Sequence, residues 1–440
     1  MSWKLLATSS LLGVSVWGQN ALTLHDAAER AINSHPSIGA AESGVKAADT
    51  RIQQAHSARL PKLNYTESWQ RSNNPVFVFG SLLTQRQFAE SNFALGALNN
   101  PSALNNFQSV LSVEQPLFDA GLTKQAEQGA KLGQEMAAEE KHKAEQQIIG
   151  RVAAAYYGVL LAREMGNVAD TAVRSAEADL ERAQTVREAG MSTDADVLSI
   201  RVHVAAMKEQ QIRRRADLQV AEAALNEAMA EPLDSHYALT TPLTDRTIAT
   251  ERDGVVERPE IRQARLATQL AQNQSTTARA AYLPQVSFRS AFEADRQRFV
   301  TRAGANWFAG VTLRWNLFNG YADRARIEEA THTLNRAKAM EKQATEGSKL
   351  EVIRARAELD AASQRIVVAE ASIAQAEESL RITKNRYDAG LTTVTELLRS
   401  ESALAEARSR KLAAVHDQRL AGVALVFAQG TLSLNSEVLQ

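Results

Sequence analysis

The chain has 440 residues, of which 50 are lysine or arginine and 51 are aspartate or glutamate. Because these charges nearly cancel, no overall basic field favours nucleic acid as a partner. The chain contains no cysteine, which excludes disulfides, thiolate metal sites and lipid modification of an N-terminal cysteine.

The N-terminus predicts a secretory signal peptide over residues 1–21. Lys4 precedes an apolar stretch over residues 5–17, and the small residues Gly18 and Ala21 follow it. Cleavage after either small residue fits this pattern, and a buried N-terminal helix is the alternative interpretation. Beyond this stretch no run of about 18 apolar residues occurs, so we expect no transmembrane helix.

A first structural unit is predicted over residues 22–232. Pro36 separates two short helices, and the hydrophobic period changes from about 3.6 to 2 at Lys62. The proline-free stretch Leu122–Glu188 then predicts one helix of roughly 67 residues and about 100 Å, which exceeds a globular core and favours coiled-coil contacts. The predicted elements are helices 26–32 and 38–59, a β-hairpin at about 62–116 with strands 62–71 and 108–115 around a loop over 72–107, the helix 122–188, a tip at about 187–193 and a return helix 194–229.

A second unit, residues 258–430, repeats this order after a linker at 233–257 that we expect in an equatorial region, and a C-terminal tail occupies 431–440. A Leu-Pro dipeptide opens both hairpins, at residues 60–61 and 283–284. Two units with one element order indicate an internal duplication. The predicted elements are a β-hairpin at about 284–317, a helix 321–388, a tip at about 387–393 and a return helix 393–428.

Strand alternation places large apolar side chains on one face of both hairpins and polar side chains on the other. Each strand has about the 9–11 residues that span a bilayer at a tilt. Because four strands would leave unpaired edges in lipid, the chain must oligomerise, and two, three or four copies would supply eight, twelve or sixteen strands. The residues predicted to face lipid are Tyr65, Trp69, Phe288, Phe292, Trp307, Val311, Leu313 and Trp315.

Each long helix runs into a glycine, Gly190 in the first unit and Gly390 in the second. Glycine adopts positive φ at low steric cost, so we predict helix-tip turns at both positions. Residues 393–396, Thr-Val-Thr-Glu, have the pattern of a capping box, and residues 193–196 approximate one. Both tips are therefore predicted to be the ends of helical hairpins.

Several motifs, in their order and spacing, resemble the TolC-type outer-membrane efflux protein family over essentially the whole mature chain. These motifs are the opening residues 22–28, His-Pro at 35–36, Leu-Pro at 60–61 and 283–284, Leu-Phe at 117–118 and 317–318, and Arg-Tyr-Asp-Ala-Gly at 386–390.

The resemblance implies a mainly α fold with a transmembrane β-barrel contribution. Each chain would hold a duplicated unit of long coiled-coil helices plus a β-hairpin, and a homotrimer would form a twelve-stranded barrel on an α-helical tunnel. The barrel would contact outer-membrane lipid and the tunnel would lie in the periplasm. The first loop, residues 72–107, would then lie outside the cell.

The function implied by the resemblance is a passive exit duct of a tripartite efflux or type I secretion system. The duct would dock a periplasmic adaptor (membrane fusion) protein and an inner-membrane RND or ABC transporter, which supplies the energy, so we expect no catalytic site, cofactor or metal. The eight histidines are scattered without ligand spacing, and no P-loop, Rossmann glycines or nucleophile elbow occurs. The alternative function is a periplasmic coiled-coil scaffold without a pore.

Five residues near the tips take the family's gate and constriction positions. The resemblance implies that Asp196 and Tyr387 match a hydrogen-bonded Asp–Tyr pair and that Thr392 replaces an arginine of the same network. It also implies that Glu396 and Arg399 replace two aspartates that form lumen rings, which would give a constriction of mixed charge. The alternative is that Asp196 and Glu396 only cap helices and that Tyr387 only fills the hairpin groove.

Overall fold

The structure is a computed structural model that describes residues 21–190, 192–245, 258–300 and 303–440. The helices are α1 (Leu24–Ser34), α2 (Pro36–Ser57), α3 (Pro75–Thr84), α4 (Leu95–Asn99), α5 (Leu122–Glu188), α6 (Asp194–Met229), α7 (Pro259–Ala280), α8 (Ala322–Asp388) and α9 (Val394–Ala428). The strands are β1 (Ala21–Leu22), β2 (Lys62–Ser72), β3 (Leu104–Phe118), β4 (Ala238–Leu239), β5 (Gln285–Arg296) and β6 (Gly304–Arg314). The predicted signal peptide before Ala21 and residues 246–257 of the predicted linker lie outside the described residues.

The helices of the first half have counterparts of nearly equal length in the second half. Helices α2 and α7 each have 22 residues, α5 and α8 each have 67, and α6 and α9 have 36 and 35. This correspondence is the one that the repeated element order predicts. None of the described helices combines the length and the apolar character that crossing a membrane requires.

The described residues form two compact units. The helix tips lie in the unit that comprises Met1–Ala41, Lys141–Pro259 and Glu346–Gln440. The four-stranded sheet and the segment that joins β2 to β3 lie in the other unit, Glu42–Glu140 and Glu260–Thr345.

Strands β2, β3, β5 and β6 form one antiparallel sheet in that order, with β2 and β6 at its edges. Tyr65 pairs with Leu111, Leu111 with Phe292, and Phe292 with Trp307. Because directly opposed residues project from the same face, one apolar row crosses all four strands. The other face carries mainly polar side chains, so the sheet has two faces of different chemistry.

The last strand ends earlier than its alternation predicts. Strand β6 ends at Arg314, so Trp315, which we expected within the strand, lies outside it. Arg314 pairs with Gln285, and the residue before Gln285 is Pro284, which has no N–H group to extend the ladder. The indole N–H of Trp315 instead donates to the carbonyl oxygen of Tyr282 at 3.1 Å.

The segment predicted as a loop over residues 72–107 is largely ordered, and this prediction was wrong. It contains α3, a short 3-10 turn at Glu90–Phe93 and α4, and β3 begins at Leu104 rather than at 108. Phe88 packs edge to face on Phe79 of α3 and on Phe93 of the turn, with ring centroids 4.8 and 5.0 Å apart. The segment therefore has a small aromatic core of its own.

Local chemistry explains why α3 forms. The side-chain oxygen of Asn74 accepts the backbone N–H groups of Val76 and Phe77 at 3.0 and 3.2 Å. Pro75 occupies the first helical position, where a missing N–H costs no hydrogen bond. The following apolar run has no polar face, so hydrophobic periodicity alone did not reveal the helix.

The first two helices also begin earlier than predicted. Helix α1 begins at Leu24 because Thr23 and Asp26 form a capping box, in which the backbone N–H of Asp26 donates to the Thr23 hydroxyl at 3.1 Å. Pro36 is the first residue of α2 instead of preceding a helix that starts at Ile38.

Two adjacent tyrosines of α5 organise the core of the unit that holds the tips. Tyr156 donates its hydroxyl to the carbonyl oxygen of Leu22 at 2.8 Å. The guanidinium of Arg419 donates to the hydroxyl of Tyr157 at 2.6 and 2.9 Å. Leu439 of the C-terminal tail is completely buried in the same core. Both ends of the described chain are thus fixed to the middle of α5.

The sheet register generates a prediction for Val311, which is 64% exposed on the apolar face of β6, four residues after Trp307. If this face contacts lipid, Val311→Arg places a charge in hydrocarbon and impairs assembly by about 2–4 kcal/mol near the bilayer midplane. The measurement is the fraction of chains that migrate as oligomer in unheated gel samples. Thr312→Arg is the control, because it places arginine on the opposite face of the same strand. Equal oligomer yields for the two variants would contradict this assignment of the faces.

Candidate functional site

The two tips turn at glycines in the left-handed region of backbone conformation. Gly190 has φ of 77° and Gly390 has φ of 70°. At the second tip the N–H of Gly390 donates to the carbonyl oxygen of Tyr387 at 2.9 Å, and the N–H of Leu391 donates to that of Arg386 at 2.8 Å. These two bonds satisfy carbonyl groups at the end of α8 and fix the turn.

Asp196 caps the helix that follows the first tip. Its carboxylate accepts the hydroxyl of Thr193 at 2.8 Å, the backbone N–H of Thr193 at 3.2 Å and the hydroxyl of Ser192 at 3.2 Å. The backbone N–H of Asp196 donates in return to the Thr193 hydroxyl at 3.2 Å. The hydrogen bond from the Thr193 hydroxyl is the main reason that the pKa of Asp196 is lowered.

The capping box predicted at residues 393–396 does not form. Thr393 has the backbone conformation of an N-cap, but its side chain makes no capping hydrogen bond. The carboxylate of Glu396 instead lies 3.3 Å from the guanidinium of Arg399, and both side chains are exposed. The approximate pattern at 193–196 is the one that forms a complete box. Paired with Arg399 in the same chain, Glu396 contributes little net charge to the surface.

Tyr387 lies against an apolar cluster between the two hairpins, which includes Val197, Ile200 and Val394. Within the described residues, no hydrogen bond joins its hydroxyl to Asp196. Burial raises the pKa of Tyr387, and the negative charge of Asp196 adds to the shift. The two side chains therefore lie within electrostatic range of each other. Thr392 is half-buried in the turn.

One ion pair near the tips joins the two hairpins directly. The guanidinium of Arg182, on α5, lies 3.3 Å from the carboxylate of Asp388, at the end of α8. Both side chains are about half exposed, so the pair contributes at most about 1 kcal/mol. This pair could not be predicted from the sequence, because the two residues are distant along the chain.

A largely buried ionic cluster, of which only Lys384 is substantially exposed, lies further along the same helices and takes one residue from each of them. Asp179 belongs to α5, His203 to α6, Lys384 to α8 and Glu401 to α9. The ammonium of Lys384 lies 3.8 Å from Asp179, and Nε2 of His203 lies 4.0 Å from Glu401. The carboxyl groups of Asp179 and Glu401 also interact with each other, and this interaction favours the protonated form of Glu401. We call these four residues the inter-hairpin cluster.

Burial governs protonation within the inter-hairpin cluster. It raises the pKa of Glu401 to about 8, and the hydrogen bond and negative charge of Asp179 contribute to the same shift. Burial also lowers the pKa of His203, against the opposing effect of the Asp179 charge. Near neutral pH the cluster therefore contains a protonated Glu401 and a neutral His203.

The inter-hairpin cluster was not identified from the sequence, although a signal for it exists. Ala176, Asp179 and Ala183 follow helical spacing and are all buried, so a carboxylate interrupts a stripe of small apolar residues. Glu401 interrupts the stripe of α9 in the same way, four residues after Leu397. A charged residue at a seam position was the available clue.

Among the described residues, one group of three possible metal ligands has its ligand atoms within 4.8 Å of one another: His25, Asp26 and Glu29. The carboxylate of Asp26 already accepts the N–H of Thr23 in the cap of α1. We therefore assign Asp26 to helix capping.

The family model described as "Outer membrane efflux protein" matches residues 27–231 and 255–431. These segments cover most of the chain and contain both hairpins of the sheet and both helix tips.

The chain belongs to the outer membrane efflux protein family.

Relatives of this efflux protein span nearly the same length. It is 24% identical over 429 residues to the alkaline protease secretion protein AprF of Pseudomonas aeruginosa, covering 94% of this chain and 85% of AprF. It is 28% identical over 353 residues to protein CyaE of Bordetella pertussis, covering 76% of this chain and 73% of CyaE. The crystal structure of the Campylobacter jejuni CmeC outer membrane channel has a similar fold, with a TM-score of 0.80 at 16% identity, covering 100% of this chain and 96% of CmeC.

Family membership confirms the expected fold class and the location in the outer membrane with the helical part in the periplasm. The efflux protein is a passive exit channel and not an enzyme. The scaffold without a pore is therefore not retained as its function.

The inter-hairpin cluster generates a prediction about pH. The folded protein holds a proton on Glu401 up to a pKa of about 8, whereas the unfolded chain loses it near the ordinary value of 4.5. This residue therefore lowers the free energy of unfolding as pH rises between these values. Glu401→Gln keeps a hydrogen-bond donor next to Asp179 but cannot lose a proton, so its free energy of unfolding should not fall in this way as pH rises. The melting temperature of the variant minus that of the wild type should therefore be several degrees larger at pH 8 than at pH 5.

The control for this comparison is Glu406→Gln, an exposed position on the same helix. Its difference from the wild type should be the same at both pH values in thermal melts of the detergent-purified protein. A Glu401→Gln difference that did not change with pH would contradict the assigned protonation.

Proposed function

We propose that three copies of the chain form the exit duct of a tripartite efflux or type I secretion system. The duct docks a periplasmic adaptor protein and an inner-membrane RND or ABC transporter, and the transporter supplies the energy. In this duct each chain consists of two repeats, at 22–232 and 258–430, which the linker at 233–257 joins and the tail at 431–440 follows.

The observation that carries the oligomer is the open sheet, and the family resemblance implies the number of three copies. Its outer strands β2 and β6 have no further strand partner among the described residues. In lipid each unpaired backbone group costs several kcal/mol, so the edges must pair between copies. Three copies close a twelve-stranded barrel, with the apolar row of Tyr65 and Trp307 toward lipid and the polar face toward the lumen.

We also propose that the tips form the periplasmic gate. Asp196 and Tyr387 would link the hairpins in the closed state, with Thr392 beside them and with Glu396 and Arg399 lining the lumen. The proximity of Asp196 to Tyr387 supports this role. The hydrogen bonds that Asp196 makes within its own cap support capping as an additional role.

Fractionation of the full chain tests the proposed duct. We expect it in the outer-membrane fraction, as a trimer-sized band in unheated detergent extracts that converts to monomer on heating. A product that stays soluble without detergent would overturn the proposal.

A double variant tests the gate. Tyr387→Phe combined with Asp196→Ala removes both partners of the proposed link, so the single-channel conductance of the purified trimer in planar bilayers should rise several-fold. Thr193→Ala is the control, because it disrupts the cap at a cost of about 0.5–2 kcal/mol and leaves both partners in place. An equal rise in the control would assign the effect to capping, and no rise in the double variant would exclude the gate role.

A further inference from the structure

The segment between β2 and β3 packs on the polar face of its own sheet. The side of α3 that faces the sheet is buried and includes Val78 and Ser81. Gln85, which directly follows the helix, is only 2% exposed. The side-chain amide of Gln85 donates to the side-chain oxygen of Asn106 at 2.8 Å, and the amide of Asn106 donates to the carboxylate of Asp295 at 2.7 Å. These hydrogen bonds join the end of α3 to β3 and β5.

The strand neighbours of these residues identify the face. Asn106 and Asp295 alternate along their strands with Phe107 and Arg296, which pair with each other on the opposite face. Phe107 also pairs with Trp69 on that opposite, apolar face. Because neighbouring residues of a strand project to opposite sides, α3 lies on the face that would line the lumen.

A second contact holds the segment against the edge strand β6. The guanidinium of Arg86 donates to the carbonyl oxygen of Ala305 at 2.8 Å. Next to it the backbone of Thr84 lies directly over Gly304, where a Cβ atom would overlap the Thr84 carbonyl oxygen. Only glycine at position 304 permits this approach.

The side of α3 that points away from the sheet is apolar. Val76 is 81% exposed, Leu83 is 50% exposed, and Phe79 lies between them at helical spacing. A helix side that faced water alone would carry polar residues at these positions. This stripe of Val76, Phe79 and Leu83 therefore needs an apolar partner.

Barrel geometry identifies the partner. Twelve strands about 4.8 Å apart and tilted by about 40° enclose a backbone radius of about 12 Å. A helix of about 10 Å diameter on that wall reaches to within a few ångströms of the axis, so three symmetry-related helices meet there.

We infer that the apolar stripes of the three α3 helices contact one another across the channel axis and form a hydrophobic constriction at its outer end. This inference rests on the proposed trimer. A ring of apolar side chains disfavours water in a narrow passage and so opposes ion flow. The channel thereby has a barrier at the extracellular end in addition to the proposed gate at the helix tips.

Cysteine cross-linking tests the contact, because the chain has no cysteine of its own. Leu83→Cys introduces one thiol per chain at a half-exposed position. After mild oxidation of purified trimers, up to two of every three chains should migrate as a disulfide-linked dimer on a heated, non-reducing gel. Trimers that form normally but give no disulfide-linked dimer would overturn the inference. In that case the stripe would contact lipid, another protein or solvent instead of its symmetry-related copies.

Paired glycine variants test the docking of α3. Adding Gly304→Val to Leu83→Cys should displace α3 from the sheet and reduce the dimer at least several-fold. Gly310→Val is the matched control, because Gly310 lies on the same strand and face and its Cβ would meet nothing within 4 Å. Equal cross-linking in the two double variants would overturn the docking role of Gly304.

The unheated trimer band separates these outcomes from a failure of the proposed function. A chain that never forms the band contradicts the trimer itself. If only the Gly304→Val variant fails to assemble, Leu83→Cys alone still decides whether the three stripes meet.

Discussion

The two unpaired edges of the four-stranded sheet are the constraint on which the rest of the structure depends. Hydrocarbon offers no hydrogen-bond partner to the backbone groups of β2 and β6, so those groups must find partners in other copies of the chain. Pairing between copies then decides where each face points. In the proposed barrel the row from Tyr65 to Trp307 faces lipid, and any segment packed on the polar face, such as α3, is confined to the lumen.

The helical part follows a different rule, because small residues allow its helices to pack closely along their whole length. Ala176 and Ala183 of α5 are almost completely buried in such a seam. Asp179 and Glu401 interrupt the seam with carboxyl groups, and burial raises the pKa of Glu401. Buried polar groups of this kind stabilise a fold less than apolar packing does, and their contribution to stability depends more strongly on geometry. The inter-hairpin cluster thus marks a weak point between two hairpins that are otherwise held by apolar contacts.

Periodicity in the sequence predicted the long helices, the four strands and the duplicated order, since each of these repeats over many residues. The predictions failed where a single local contact decides the outcome. Pro284 ends the ladder before Trp315, and Asn74 starts α3 within a predicted loop. The capping boxes show the same limit, because Thr393 and Glu396 match the pattern well but Glu396 pairs with Arg399 instead.

The candidate site was less predictable than the fold. Family resemblance identified Asp196 and Tyr387, and the structure brings both to the same tip region. The ion pair between Arg182 and Asp388 depends on how the two hairpins are rotated about their axes. That rotation cannot be predicted from the sequence of either hairpin. The partners of Gln85 lie on strands β3 and β5, and that network likewise becomes visible only once the sheet register is known.

The core around Tyr156 and Tyr157 has a consequence for the order of events during export. Leu22 enters this core first and Leu439 last, with more than four hundred residues between them along the chain. The part of this core that Leu439 covers therefore stays exposed until residue 439 has crossed the inner membrane. Exposed apolar surface on an incomplete chain is recognised by chaperones and proteases and promotes aggregation. Burial of Leu439 thus makes the folded state of this unit depend on translocation of the chain at least as far as residue 439.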